Sequence, residues 1–165
     1  MYKGAPPTNS IFRNKSTAIL LTGFTAGILD IAAACIQFYI NTGRGPGPVL
    51  RYIASGVFGK KAFAGATTTM AIWGLLFHFI IAFGLTIFYY IIYPRVPWLG
   101  KHRLVAGILF GLFAWVVTTR LIVPMSLAQQ GPFDLQKALI AAGILVVCIG
   151  LPVSFMTHKH YLCKK

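Results

Sequence analysis

Three ionisable side chains lie inside long apolar segments of this sequence: Asp30, His78 and Arg120. A charge is costly in the hydrocarbon core of a membrane, so such residues face other helices or a water-filled cavity and often mark a route for ions or protons. A nearby Arg stabilises an ionised carboxylate, and an imidazole takes up or releases a proton near neutral pH. Together, the three residue types are suited to a proton-linked gate or to the binding of a small polar solute.

The elements that must position these side chains are helices that cross a membrane. Four apolar segments are long enough to cross a hydrocarbon core of roughly 30 Å, and they cover about 17–40, 70–93, 104–124 and 138–156. Because neighbouring spans run in opposite directions, Asp30 and His78 are predicted to differ in depth by a few Å, at ~1.5 Å of rise per residue. Arg120 is predicted to lie roughly 9 Å from the centre of its span. Its side chain is long enough to reach back towards Asp30 or to snorkel outward.

A purely structural interpretation of the same residues stays open. In that case Asp30 and Arg120 form an ion pair that joins the first and third spans, or Arg120 snorkels, while His78 is bonded to a backbone carbonyl. The sequence contains a single acid within its apolar segments, Asp30, so it does not decide between a structural pair and a functional site.

Composition indicates a membrane protein. Of the 165 residues, 57% are hydrophobic and only 10% are charged, whereas soluble domains contain roughly a quarter charged residues. The apolar segments do not alternate with polar residues as the strands of a membrane barrel do. We therefore predict an all-α membrane protein with a four-helix transmembrane bundle over residues 17–157, a basic cytoplasmic leader (1–16) and a basic cytoplasmic tail (158–165).

The segment 49–65 between the first two spans is too short and too charged to cross a bilayer. Its apolar residues share one helical stripe, which is typical of an amphipathic helix lying in the headgroup region. Arg51, Lys60 and Lys61 supply its charge, and its glycines weaken the helix, so a re-entrant segment is the alternative.

Two glycine pairs with GxxxG spacing, Gly23 with Gly27 and Gly107 with Gly111, predict faces where helix backbones approach closely. Such small-residue faces also favour a homo-oligomer or a membrane-protein partner. Membrane lipids are the other partners we expect.

The charge distribution predicts orientation. The formal net charge is +13, and nine Lys and Arg residues lie in the leader, the 94–103 loop and the tail, against five in the opposite loops. This excess favours both termini in the cytoplasm. The cations do not form one stripe beside exposed aromatic residues, so we expect no nucleic-acid binding.

The remaining motifs predict no metal, no cofactor and no enzymatic activity. His158, His160 and Cys163 lack a fourth ligand for zinc, and Ser126 has no base at a readable spacing. Asp134 precedes an apolar run and is predicted to cap its helix. The first apolar run is too long for a cleaved signal peptide, so it is predicted to be retained.

Several strings of this sequence resemble a family of small four-span bacterial inner-membrane proteins, the YagU-like group: LLTGFTAGILDIAAACIQFYI, VLRYIASGVFGKKAFAG, GLLFHFIIAF, LIVPMS and GLPVSF. The resemblance covers about residues 17–157 and implies a bacterial inner membrane and a helical bundle. It implies no reaction, cofactor or partner. We expect ion, proton or small-solute handling at the Asp30, His78 and Arg120 site; the alternative is an accessory or assembly protein that binds another membrane component.

Overall fold

In the computed structural model, the described part of the chain comprises residue 12, residues 14–129, residue 131 and residues 134–163. Within this part every regular element is a helix. Four helices are long and apolar enough to cross a membrane, at Lys15–Thr42, Thr67–Arg95, Arg103–Met125 and Leu135–Leu162. The prediction of an all-α bundle with four candidate spans is therefore confirmed. Most of the predicted leader lies outside the described residues.

The α-helices are, in chain order, α1 (Lys15–Thr42), α2 (Gly47–Phe58), α3 (Lys61–Ala64), α4 (Thr67–Ile92), α5 (Pro97–Lys101), α6 (Arg103–Val116), α7 (Val123–Met125), α8 (Leu135–Leu145) and α9 (Leu151–Leu162). We call α1 and α4 the first and second spans. The third span joins α6 to α7, and the fourth joins α8 to α9. The fourth span continues to Leu162, beyond its predicted end near 156, so His158 and His160 lie on a helix.

Local signals set several of these helix ends. Asn14 caps α1 by accepting a hydrogen bond from the Ser16 backbone N–H at 3.0 Å, and Gly43 ends the helix with a φ of 66°. Asp134 caps α8 by accepting from the Lys137 backbone N–H at 3.2 Å, as predicted. This hydrogen bond holds the pKa of the exposed Asp134 carboxyl below its usual range.

Two stretches of π-helix interrupt the third and fourth spans, at Val117–Ile122 and Val146–Gly150. Each stretch ends two residues before a proline, Pro124 or Pro152. A proline inside a helix has no N–H to donate and its ring clashes with the carbonyl four residues earlier, so the preceding turn must change its hydrogen bonding. The wider π turn accommodates this change.

A helix forms between the first two spans, as α2, and packs along the beginning of α4. The closest approach is at Gly74, where an added Cβ would collide with the backbone carbonyl of Leu50. The Arg51 guanidinium donates to the carbonyls of Ala62 and Phe63, which ties α2 to α3. Part of the charge predicted to face lipid headgroups is thus used to bond the loop's own backbone.

Both predicted glycine pairs lie against neighbouring helices of the same chain. A Cβ on Gly27 would lie 2.7 Å from the Phe79 ring, and one on Gly107 would lie 3.1 Å from the Gly150 carbonyl oxygen. Gly23 and Gly111 likewise have no room for a Cβ, against Phe83 and Val146. The first pair lets α1 approach α4, and the second lets the third span approach the fourth.

Tight packing is concentrated in one half of the bundle. A buried apolar cluster joins all four spans there; it consists of Ala26, Leu85, Tyr89, Tyr93, Phe110, Ala114, Ile149 and Val153. Buried hydroxyls link the spans in the same half, because Tyr89 donates to Ser154 at 2.9 Å and Ser154 donates to the Arg103 carbonyl at 2.8 Å. The other half of the bundle holds a cavity.

Candidate functional site

A cavity of about 360 Å³ lies among the four spans and α2. Its walls come from the second half of α1, the middle of α4, the end of the third span and the beginning of the fourth. These segments lie between the middle of the bundle and one of its ends, since consecutive spans run in opposite directions. The cavity therefore extends through only part of the length of the bundle.

Two sets of residues bound this cavity along the bundle axis. Leu85 and Ile149 line it and also belong to the buried apolar cluster, so they form its floor. Tyr52 and Ile53 of α2 line the opposite end, where the Leu127 backbone N–H donates to the Gly56 carbonyl at 2.9 Å. α2 and the loop after the third span thus form its roof.

Asp30 and His78 both line the cavity. The Asp30 Oδ2 and His78 Nδ1 atoms are 4.0 Å apart, and the two side chains are 17% and 11% exposed. The other imidazole nitrogen, Nε2, lies 2.9 Å from the Gly27 carbonyl oxygen. Within the described chain, no hydrogen bond reaches the Asp30 carboxylate, so this carboxylate faces the cavity with its acceptor capacity unused.

The contact with Gly27 determines which His78 nitrogen carries a hydrogen. A carbonyl oxygen can only accept, so Nε2 must be the donor. In a neutral imidazole, Nδ1 then has a lone pair directed towards Asp30, and two acceptors face each other. One additional proton, on Nδ1 or on the carboxylate, makes the contact attractive. The Asp30–His78 pair is therefore a site for one exchangeable proton.

Further polar groups that the sequence analysis did not single out also line the cavity: Gln37, Tyr52, Trp115, Thr118 and Thr119. The Trp115 indole nitrogen is buried and has no acceptor among the described residues. Thr118 and Thr119 donate to carbonyls of their own helix, at 2.6 and 2.7 Å, which leaves their oxygen lone pairs as acceptors. The sequence did carry a signal for Gln37, because it lies two helical turns after Asp30 on the same face.

Arg120 lies on the π stretch of the third span and is exposed. Its neighbours Thr118 and Thr119 line the cavity, whereas Arg120 is not among the lining residues. Within the described chain, the charged contact of Asp30 at 4 Å or less comes from His78. The structure thus brings two of the three predicted residues together at the cavity.

The other candidate residues occupy separate environments. His158 Nδ1 lies 2.6 Å from the Tyr93 hydroxyl, and His160 Nδ1 lies 2.6 Å from the Phe12 carbonyl oxygen. Among the described residues, no group of three or more His, Cys, Asp or Glu side chains could hold a metal ion. Ser126 bonds to the Val123 carbonyl at 2.7 Å, beside α2.

A second cavity, of about 620 Å³, lies at the opposite end of the bundle, beside the loop between the second and third spans. Its lining residues include Tyr93, Lys101, His158 and Tyr161. The Tyr93 and Tyr161 rings stack with their centroids 4.8 Å apart. Arg103 is close enough to act electrostatically on both Tyr93 and His158. This cavity combines aromatic walls with positive charge.

Four long apolar helices around a cavity that contains a carboxylate define the class: this is an all-helical membrane protein with four candidate spans. Comparisons with protein-family models, with curated proteins and with solved structures found no match to the chain. The resemblance to the YagU-like group therefore stays a prediction. The cavity itself is the basis for assigning a function.

Proposed function

We propose that this protein handles an ion, a proton or a small solute within the membrane, and that the Asp30–His78 cavity is its binding site. The supporting observation is the position of Asp30, whose carboxylate lines a cavity among the four spans, 4.0 Å from an ionisable imidazole. Placing a carboxylate within a membrane costs free energy, and such carboxylates usually have a function, such as binding an ion or relaying a proton. The proposed setting is the bacterial inner membrane, with both termini in the cytoplasm.

A purely structural role would call for a different geometry. A carboxylate that locks two helices together needs close hydrogen bonds to offset the cost of burial. The contact of Asp30 with His78, at 4.0 Å, is longer than a hydrogen bond. The long contact and the adjacent cavity favour a pair that binds and releases an ion, a proton or a small solute.

Passage across the membrane would require the floor of the cavity to open. Leu85 and Ile149 close the cavity towards the tightly packed half of the bundle. Ile149 lies on one π stretch, and the other, at Val117–Ile122, also lines the cavity. π-helical turns are frequent at functional sites and provide backbone that can change its hydrogen bonding. We propose these two stretches as the moving elements.

Flux in reconstituted vesicles tests this function. Vesicles that contain the protein and an internal pH dye are expected to take up protons when a pH gradient is imposed, and Asp30→Asn is expected to reduce the rate by about tenfold or more. Asp134→Asn is the matched control, because Asp134 is the only other acid in the chain and is exposed. Equal rates for the Asp30→Asn variant and the unmodified protein would contradict the proposal.

The second cavity favours another candidate, the accessory role. Lys101 lines it, and Arg95 and Arg103 are close enough to act electrostatically on its lining residues Tyr161 and Tyr93. Both acids of the chain are elsewhere, at Asp30 and beside α8 at Asp134. Positive charge without acids at the end of a helical bundle is suited to anionic lipid headgroups. In this role the protein would bind an anionic membrane component, either alone or as a homo-oligomer.

Lys101→Gln tests the accessory role. Binding of short-chain phosphatidylglycerol to the protein in detergent is expected to weaken by about fivefold, since one Lys near an anionic headgroup contributes about 1 kcal/mol. Binding of short-chain phosphatidylcholine is expected to stay the same. Lys60→Gln is the control because it removes an exposed Lys from the opposite end. Equal losses for the two variants would show that net charge alone determines the binding.

A further inference from the structure

We propose that the Asp30–His78 cavity takes a small organic cation in exchange for one proton. This inference rests on the proposed function, because both assign the same cavity, and it adds the class of solute and the coupling. Three features support it: the charge states of the pair, the groups around the pair and the lining of the cavity.

The net charge of the pair depends on its exchangeable proton. When the pair holds this proton, an imidazolium faces a carboxylate, or a neutral imidazole faces a neutral carboxyl group, and the net charge is zero. When the proton leaves, a neutral imidazole faces a carboxylate and the net charge is −1. The deprotonated pair therefore attracts a positive ligand, whereas the protonated pair does not.

The groups that face Asp30 from the surrounding elements leave the proton and the cation in competition for the pair. α4 contributes His78, and α2 contributes Tyr52, which also lines the cavity. The π stretch of the fourth span contributes Cys148, which is near enough to be affected by the Asp30 charge. The third span contributes Thr118 and Thr119, and its exposed Arg120 does not line the cavity. Among the lining residues, Asp30 is the one acid, so the negative charge of the deprotonated pair resides on its carboxylate.

The lining favours an organic cation over a metal ion. Hard metal ions require about six oxygen ligands at short distances, and Asp30 is the single carboxylate available to them. Most of the wall is apolar, and Tyr52 and Trp115 add aromatic surface. Aromatic faces attract organic cations, particularly where water is excluded. The carboxylate matches the charge of an organic cation, and the apolar and aromatic wall matches its apolar body.

The exchange balances in charge and in protons. An organic cation enters a cavity whose pair holds one proton; the proton leaves Nδ1 or the carboxyl group, and the cation takes its place beside the carboxylate. The protonated pair has a net charge of zero before this exchange, and the deprotonated pair together with the bound cation has a net charge of zero after it. No covalent bond to carbon forms or breaks, and no oxidant or reductant is required. One cation is thus exchanged for one proton.

Titration of the purified full chain in detergent tests this exchange. The probe is benzyltrimethylammonium, whose charge is independent of pH; benzyl alcohol and benzenesulfonate are its neutral and anionic counterparts. Calorimetry from pH 5 to 8 should show cation binding that weakens by up to about tenfold for each unit of falling pH, because a proton competes for the site. In a weakly buffered solution, about one proton should be released per cation bound at those pH values where the affinity changes tenfold per unit, and fewer at higher pH where the pair is already deprotonated.

Two variants and one comparison identify the site. Asp30→Asn is expected to lose both the binding and the proton release, whereas Asp134→Asn is expected to retain both. The pH dependence and the proton release are measured on the unmodified protein, so the test does not depend on the stability of a variant. Equal affinity for the cation and the alcohol, binding that survives in Asp30→Asn, or binding without proton release would each overturn the exchange.

Failure of this inference differs from failure of the proposed function. Proton flux that depends on Asp30, without any cation binding, overturns the exchange and leaves the proposed function intact. Cation binding with proton release, but with no flux of either species in vesicles, supports the exchange at the site and contradicts transport across the membrane.

Discussion

Ala34→Phe is expected to reduce transport and cation binding by about tenfold or more, because a benzyl group would occupy a cavity that has room for one small ligand. Ala34 lies on α1, one helical turn after Asp30, and lines the cavity. The added ring enters space that is already empty, so we expect the folded structure to be retained. The measurements are proton flux in vesicles and binding of benzyltrimethylammonium.

Ala32→Phe is the matched control for this substitution. Ala32 lies on the same helix at an exposed position and does not line the cavity. A ring there should lie on the outer surface of the bundle and leave flux and binding unchanged. If both variants retain full flux, the cavity is not on the route of the transported species. If both lose it equally, the loss arises from α1 itself.

The four spans could be predicted from the sequence because length and hydropathy are properties of single segments. The structure extends each predicted span by a few residues, since a helix continues through the polar residues at its ends as long as caps and packing allow. Pro152 predicts an irregular turn in the fourth span by the same kind of local reasoning. The pairing of α2 with α4 could not be predicted, because it depends on the fit between Gly74 and the backbone of Leu50.

The sequence predicts how deep each site residue lies along its span, but only partly the direction in which its side chain points. Asp30 and His78 lie on regular helical segments, so their predicted depths are sufficient to bring them together at the cavity. Arg120 lies inside a π stretch, where the wider turn changes the direction in which each side chain points. The predicted depth of Arg120 along its span does not indicate this change in side-chain direction. For the same reason, the contributions of Thr118 and Thr119 to the cavity were not foreseen.

The second large effect is expected from Gly150→Ala, which should lower the free energy of unfolding in detergent by about 2–3 kcal/mol. An added Cβ at Gly150 would collide with the Gly107 carbonyl oxygen and would lie 2.8 Å from the backbone nitrogen of Gly111. Backbone atoms cannot turn away as a flexible side chain can, so the third and fourth spans would have to separate. The measurement is thermal unfolding followed by near-ultraviolet circular dichroism.

Gly143→Ala separates this effect from the general consequences of changing a glycine within a helix. Gly143 lies on the same span and is exposed, and a Cβ added there would have no neighbouring atom of the described chain within 4 Å. Since Ala favours helix by up to about 1 kcal/mol over Gly, this variant should be as stable as the unmodified protein or slightly more stable. Equal stability of the two variants would mean that the third and fourth spans are not in backbone contact. The floor of the cavity, which depends on Ile149 beside that contact, would then lose its structural basis.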